Sequence, residues 1–396
     1  YYFLYRASNI SIFSKYIFQL NRVMKNIYIN ILFCMLFFQS IFSQTVKSDS
    51  SLIEKPDTVG VGGVDWFAYP YIFYSPETSL AFGGGGIVYF KLSDSLKAKS
   101  SSITPSFYYT VNGQYDITII PELYLFEDKL KIWSKFNYSS FFDRYYGIGN
   151  STPEIENDKY LQDNFQAQIK LQPKLFDDRL NFGINYEIRN MTVADIKGNP
   201  FLENDTTLVG RNGGLTSGLG LAIAWDTRDN NFFPSSGGYY EVYSSNFFEF
   251  LGSDFEYNKY IIDIRQYINP LSDNVIALQS YLLMESGTPP FYDLGLLGGS
   301  KLMRGTILGR YRDKTYYTVQ TEYRIPNLIW KFGLILMAGF GDVAPSVGRI
   351  TISTVKPTYG FGIRFRIDEL QKVEIRMDVA FGKGSNGIYF DINQAF

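Results

Sequence analysis

From residue 63 to residue 396 apolar side chains recur at every second position, in run after run. Within 180–189, Leu180, Phe182, Ile184, Tyr186 and Ile188 alternate with Asn181, Asn185, Glu187 and Arg189. Phe165, Ala167, Ile169 and Leu171 alternate with Gln166, Gln168, Lys170 and Gln172, and 373–381 repeats the pattern. Successive side chains of a strand point to opposite faces, so a period of two puts each set on one face. The chain reads as all-β. In a soluble sandwich the apolar face would meet a second sheet. In an outer-membrane barrel it meets lipid, and the polar face lines a wet lumen. The stretches 160–176 and 255–269 are longer than a globular strand and suit a tilted span. Aromatic residues are 18% of the chain and recur near strand ends, as girdles at the membrane interfaces would. The expected fold is a transmembrane antiparallel β-barrel of about sixteen strands, running from 63–74 to 387–396, an even number as bacterial barrels require.

Connector lengths give the orientation. The connectors 127–128, 177–178, 270–271, 327–328 and 369 are short, whereas 142–159, 194–212, 289–312 and 343–352 are long. The long ones all follow odd-numbered strands. Short turns belong to the periplasm and long loops to the outside, which places the N-terminus in the periplasm.

Composition narrows the chemistry. There is no histidine, which removes Ser–His, Cys–His and His–zinc mechanisms together. One cysteine, Cys34, cannot make an intrachain disulfide or a thiolate metal site. A net charge of −2 offers no basic field for nucleic acid. The expectation is a non-enzymatic protein with no cofactor and no metal, its first partner being outer-membrane lipid. Met24, Lys25 and an apolar run from 27 to 42 read as a secretory signal over 24–43, with cleavage after Ser43. Residues 1–23 read as spurious upstream translation and 44–62 as a flexible lead-in. The barrel takes 63–396.

Several motifs stand out from the alternation. The run Asp226-Thr227-Arg228-Asp229, followed by Pro234 and Gly237, has the composition of a tight turn. A calcium site is the sharper reading of its two acids, and the arginine between them argues for the plain turn. Gly83–Gly86 lies inside a strand and lacks the helix and Lys-Ser/Thr of a phosphate loop. Arg364, Arg366, Glu374, Arg376 and Asp378 fall on inward positions, and mutual ion pairing that braces the lumen is the expected role. The long connector 289–312 carries Met303-Arg304-Gly305-Thr306. A guanidinium folded into a lumen needs a carboxylate. On the next strand Thr318, Gln320, Glu322 and Arg324 share the inward face, so Glu322 is the first candidate.

These features resemble the BamA/TamA family of outer-membrane assembly factors, the bacterial surface-antigen superfamily. In that family a Val-Arg-Gly-Phe/Tyr motif tips the sixth extracellular loop and folds back into the lumen. Arg304 and Gly305 match it, while Met303 and Thr306 depart at the outer positions. Glu322-Tyr323-Arg324-Ile325-Pro326 resembles the family's strand-12 ending, and Tyr359-Gly360-Phe361-Gly362-Ile363-Arg364 its strand-14 opening. The turn containing Asp226, Arg228, Asp229, Pro234 and Gly237 resembles its periplasmic turn before strand 9. Phe390, Ile392 and Phe396 alternate at the end of the chain, like the aromatic-ended signal read by the assembly machinery. The family also supplies an Asp from strand 13, where this chain has Gly339. The resemblance implies a barrel-only form without POTRA domains. It implies a role in protein insertion, translocation or envelope maintenance, with a partner protein supplying a periplasmic part. The alternative is a passive or substrate-specific diffusion channel.

Overall fold

The structure is a computed structural model; it describes residues 64–75, 79–92, 99–155, 158–175, 179–271, 273–369 and 372–396. The segments read as upstream translation, signal and lead-in lie outside the described residues. No described helix is long and apolar enough to cross a membrane.

Strands follow one another along the whole described chain. The first four are β1 (Val64–Ser75), β2 (Ser79–Phe90), β3 (Ser101–Thr110) and β4 (Tyr115–Leu125). Next come β5 (Leu130–Arg144), β6 (Lys159–Pro173), β7 (Leu180–Ala194) and β8 (Gly213–Asp226). Then come β9 (Gly237–Phe247), β10 (Tyr257–Leu271) and β11 (Asn274–Gly287). The long connector holds two short strands, β12 (Gly295–Leu296) and β13 (Arg312–Asp313). The chain finishes with β14 (Thr315–Ile329), β15 (Phe332–Ala344), β16 (Lys356–Asp368), β17 (Val373–Gly382) and β18 (Ser385–Ile392). A short helix, α1 (Pro200–Asn204), capped by the side chain of Asn199, sits in the β7–β8 connector, where alternation gives only a loop.

Sixteen of these strands form one sheet, each paired with its neighbour in the chain, from β1 to β11 and on through β14 to β18. The ladders are antiparallel throughout. β12 and β13 pair only with each other. The sheet ends on β1 and β18, each with a ladder partner on one side among the described residues.

The two faces are inverted relative to a soluble protein. Ile184, Leu221, Ile223, Val242 and Ile264 are exposed on the outer face, and Ile184 keeps 46% of its surface. Asn185, Glu187, Glu241 and Asp263 on the inner face are buried. In a bilayer the exposed apolar face contacts acyl chains, and every backbone polar group must pair within the sheet. The sheet curls far enough for strands that are not neighbours to touch inside it. Lys170 on β6 reaches Glu241 on β9 at 2.7 Å, and Lys259 on β10 lies 3.6 Å from Glu187 on β7. Trp66, Trp225 and Trp330 are exposed at the short-turn end, and Phe248 stacks on Phe250 at the other, 5.3 Å between centroids. Both rims therefore carry the aromatic residues that anchor a barrel at its interfaces.

Candidate functional site

The connector between β11 and β14 does not project outward. It folds into the lumen as a strap held at its base, middle and tip. At the base Asp293 accepts from the Lys259 ammonium at 2.7 Å and from the Tyr257 hydroxyl at 2.5 Å. Burial raises the Asp293 carboxyl, but the neighbouring Lys259 and Arg189 cations outweigh that and hold it below the usual carboxylate range. In the middle, β12 and β13 make the strap a closed ribbon. Arg312, wholly buried, donates to the backbone oxygen of Arg144 at 2.6 Å, and Arg310 donates to the Thr152 carbonyl at 2.9 Å. Leu297, Met303 and Tyr311 of the strap pack against Ile261, Leu283, Tyr316 and Val343 of the wall. Apolar burial thus seats the strap before any charge is counted.

The tip is electrostatic. Arg304 is buried and forks between two carboxylates, Glu322 on β14 and Asp378 on β17, the latter at 2.6 Å. Glu322 also accepts from Arg324 at 2.8 Å. Asp378 also accepts from Arg364 at 2.6 Å and from Arg376 at 2.8 Å. Gly305 follows with φ of 98°, and a Cβ there would lie 2.6 Å from the backbone carbon of Phe381. Only glycine allows both that conformation and that approach. Met303 also has a positive φ, 52°, and buries its side chain in the apolar seat. Thr306 is buried beside Gly382.

The structure therefore brings together Arg304, Gly305 and Glu322, as the alternation on β14 indicates. Asp378 is the addition. The missing strand-13 acid at Gly339 is answered from β17, two strands further on. The bracing cluster of Arg364, Arg376 and Asp378 is continuous with the loop tip. Its inward positions were legible, but the partner it offers Arg304 lies 74 residues away in sequence.

The turn between β8 and β9 builds the floor of the barrel. Asp226 accepts from Arg228 at 2.9 and 3.0 Å and from Lys99 at 2.9 Å. Asp229 accepts from the backbone N–H groups of Ser235 and Ser236 at 2.8 and 3.1 Å. These are the bonds of a tight turn. Gly237 has φ of 85°, with the Thr227 carbonyl where a Cβ would stand, and Pro234 is buried. Asn230 caps Phe232 and Phe233, which point into the floor.

The end of the chain departs from its expected alternation. β18 stops at Ile392, and Asn393 turns the backbone with φ of 63°. Phe390 stays on the strand, half-buried. Ile392 is buried with Ile87, Tyr89, Phe232 and Val373. Phe396 is buried with Phe233 and Tyr267, and its backbone oxygen accepts from Arg324 at 2.9 Å. The three residues therefore do not share one lipid-facing stripe in the folded barrel.

A strap and a tail packed inside a sixteen-stranded sheet are a specific architecture, and comparison with known proteins decides its family. Residues 90–396 match the model of the Omp85 superfamily domain. The chain belongs to the Omp85 superfamily. Among solved structures, Omp85-type barrels superpose on it. BamA from Haemophilus ducreyi lacking POTRA domains 1–3 is 11% identical, with a TM-score of 0.53, covering 83% of this chain and 68% of that one. CdiB from Acinetobacter baumannii is 12% identical, with a TM-score of 0.52, covering 84% and 59%. CdiB from Escherichia coli is 10% identical, with a TM-score of 0.51, covering 83% and 62%. This chain thus spans less than two thirds of the CdiB chains it matches. No curated protein matches it. The Omp85 assignment makes it an outer-membrane barrel of the BamA/TamA kind.

Proposed function

We propose that this Omp85 barrel inserts protein chains into the outer membrane or passes them across it, using the edges β1 and β18 as the contact for the substrate. The observation that carries the reading is the filled lumen. The strap packs inside the wall at the long-connector end, while the tail and the β8–β9 turn pack inside it at the short-turn end. A lumen filled in this way is a poor path for free diffusion. The work then falls to the wall, where the sheet ends on two strands that, among the described residues, each have a ladder partner on one side, an edge that can template another strand. The position of Arg304 between two wall strands supports a role for Arg304, Gly305 and Glu322 in holding the strap inserted. Asp226, Arg228, Pro234 and Gly237 hold the floor turn in shape, and its exposed Asp229 is the part an envelope partner would meet. Phe390, Ile392 and Phe396 serve the chain's own assembly while it is still unfolded, when their alternation is intact.

The test is reconstitution. Proteoliposomes carrying the barrel are offered a urea-unfolded eight-stranded outer-membrane protein, and its folding is followed by heat-modifiable gel migration. The reading predicts faster folding than in empty liposomes of the same lipid. Equal folding rates, together with steady open-pore conductance, would contradict it.

A further inference from the structure

The strap tip grips more than its two acids. The Gly305 N–H donates to the Tyr389 hydroxyl at 2.9 Å, and the Gly305 carbonyl accepts from the Ser385 hydroxyl at 2.6 Å. Both hydroxyls stand on the inner face of β18, the edge strand. The third polar side chain of that face, Asp391, pairs with Arg376 at 2.8 Å. Arg376 in turn donates to Asp378 at 2.8 Å and to the strap carbonyl of Ser300 at 3.2 Å. The inner face of β18 is therefore tied to the strap directly at Ser385 and Tyr389, and through one arginine at Asp391.

β18 needs such support. It is 8 residues long, against 15 for β6, β7 and β10. It has a ladder partner on one side among the described residues, so it lacks the second row of hydrogen bonds that secures an interior strand. The strap backbone also runs close enough to the hairpin to exclude a side chain at Gly382. A Cβ on Gly382, in the β17–β18 hairpin, would stand 2.8 Å from the Gly305 carbonyl oxygen. The strap tip thus lies along the hairpin as an additional layer on its lumenal side.

We propose that Ser385 and Tyr389 are positioning residues that latch the edge strand to the inserted strap, so that withdrawal of the strap tip and release of β18 are one event. The proposal rests on the reading that the edges receive the substrate, and it supplies the control of that site. It would make the barrel's edge available only when the lumen plug moves.

Hydrogen exchange on the full barrel in lipid nanodiscs tests the latch without a substrate. The variants are Tyr389→Phe, Ser385→Ala and their combination, which leave Arg304, Glu322 and Asp378 intact. In the double variant the amides of 385–392 are expected to exchange about ten-fold faster, the scale of one or two lost net hydrogen bonds. Amides of β6 and β7 should keep their rates, and heat-modifiable migration should be unchanged. Ser385→Thr, which keeps a hydroxyl, should exchange like the wild type. Arg304→Ala, which frees the tip from its other side, should speed the same β18 amides. If the double variant does not fold, the two single variants carry the comparison. Unchanged β18 exchange, or an equal rise in β6 and β7, would overturn the latch. A barrel that passes this test but does not accelerate client folding would overturn the insertion reading instead.

Discussion

Asp378 accepts from three guanidiniums, whereas Arg304 serves two acids that each keep another cation. The two ends of the lock are therefore unequal. Removing Arg304 leaves Glu322 with Arg324, and Asp378 with Arg364 and Arg376. Removing Asp378 leaves three buried arginines with fewer acids to face. Stranding a buried charge costs about 3–5 kcal/mol, while loss of a hydrogen bond to a charged group costs about 1.5–3 kcal/mol. Asp378→Ala should therefore destabilise the barrel more than Arg304→Ala. The pair should be non-additive by about 1–3 kcal/mol. Denaturant unfolding of the purified barrel, read by heat-modifiable migration, measures both. Additive effects would place the strap tip elsewhere. A charge swap of Arg304 with Glu322 should not restore stability, because the new arginine would stand beside Arg324. Glu322 was legible because its inward position follows from alternation on the strand next to the loop. Asp378 was not, because nothing local marks one inward acid among several as the partner of an arginine 74 residues away.

At the scale of elements, the alternation rule carried almost all of the fold, because the period of a strand is a local property and sixteen strands repeat it. It failed where the backbone leaves the strand path. Asn393 turns the tail inward, a departure that the alternation of Phe390, Ile392 and Phe396 does not announce. The ribbon β12–β13 and the helix α1 are likewise products of packing among loops. Alternation also ranks inward positions too evenly. Asn185 accepts from Gln168 at 2.9 Å and donates to the Ser245 hydroxyl at 2.7 Å, so it is a structural bond rather than a tolerant lumenal residue. Gln166 is the better inward control, being only half-buried. Ile184→Arg, on the lipid face, should cost about 2–4 kcal/mol. Gln166→Ala should stay within about 0.5 kcal/mol. Folding yield into lipid vesicles, measured for both variants side by side, checks the orientation of β6 and β7. Equal yields would mean that the apolar face does not meet lipid.

At the scale of the whole molecule, one charged network joins the strap, the wall, the C-terminal tail and the end of β18. It runs from Phe396 through Arg324 and Glu322 to Arg304, then through Asp378 and Arg376 to Asp391. Buried ion pairs add little net stability by themselves, but they penalise any arrangement that leaves one partner unpaired. Such a network suits a barrel with a preferred plugged state and a costly unplugged one. In such a barrel the strap, and not an open pore, occupies the lumen. Single-channel recording in planar bilayers tests it most directly, comparing the wild type with a variant in which 297–308 is replaced by a short Gly-Ser linker. The wild type should be closed for most of the record, and the linker variant should show a large, steady conductance. A wild type that is already open, with a conductance the linker does not raise, would contradict it.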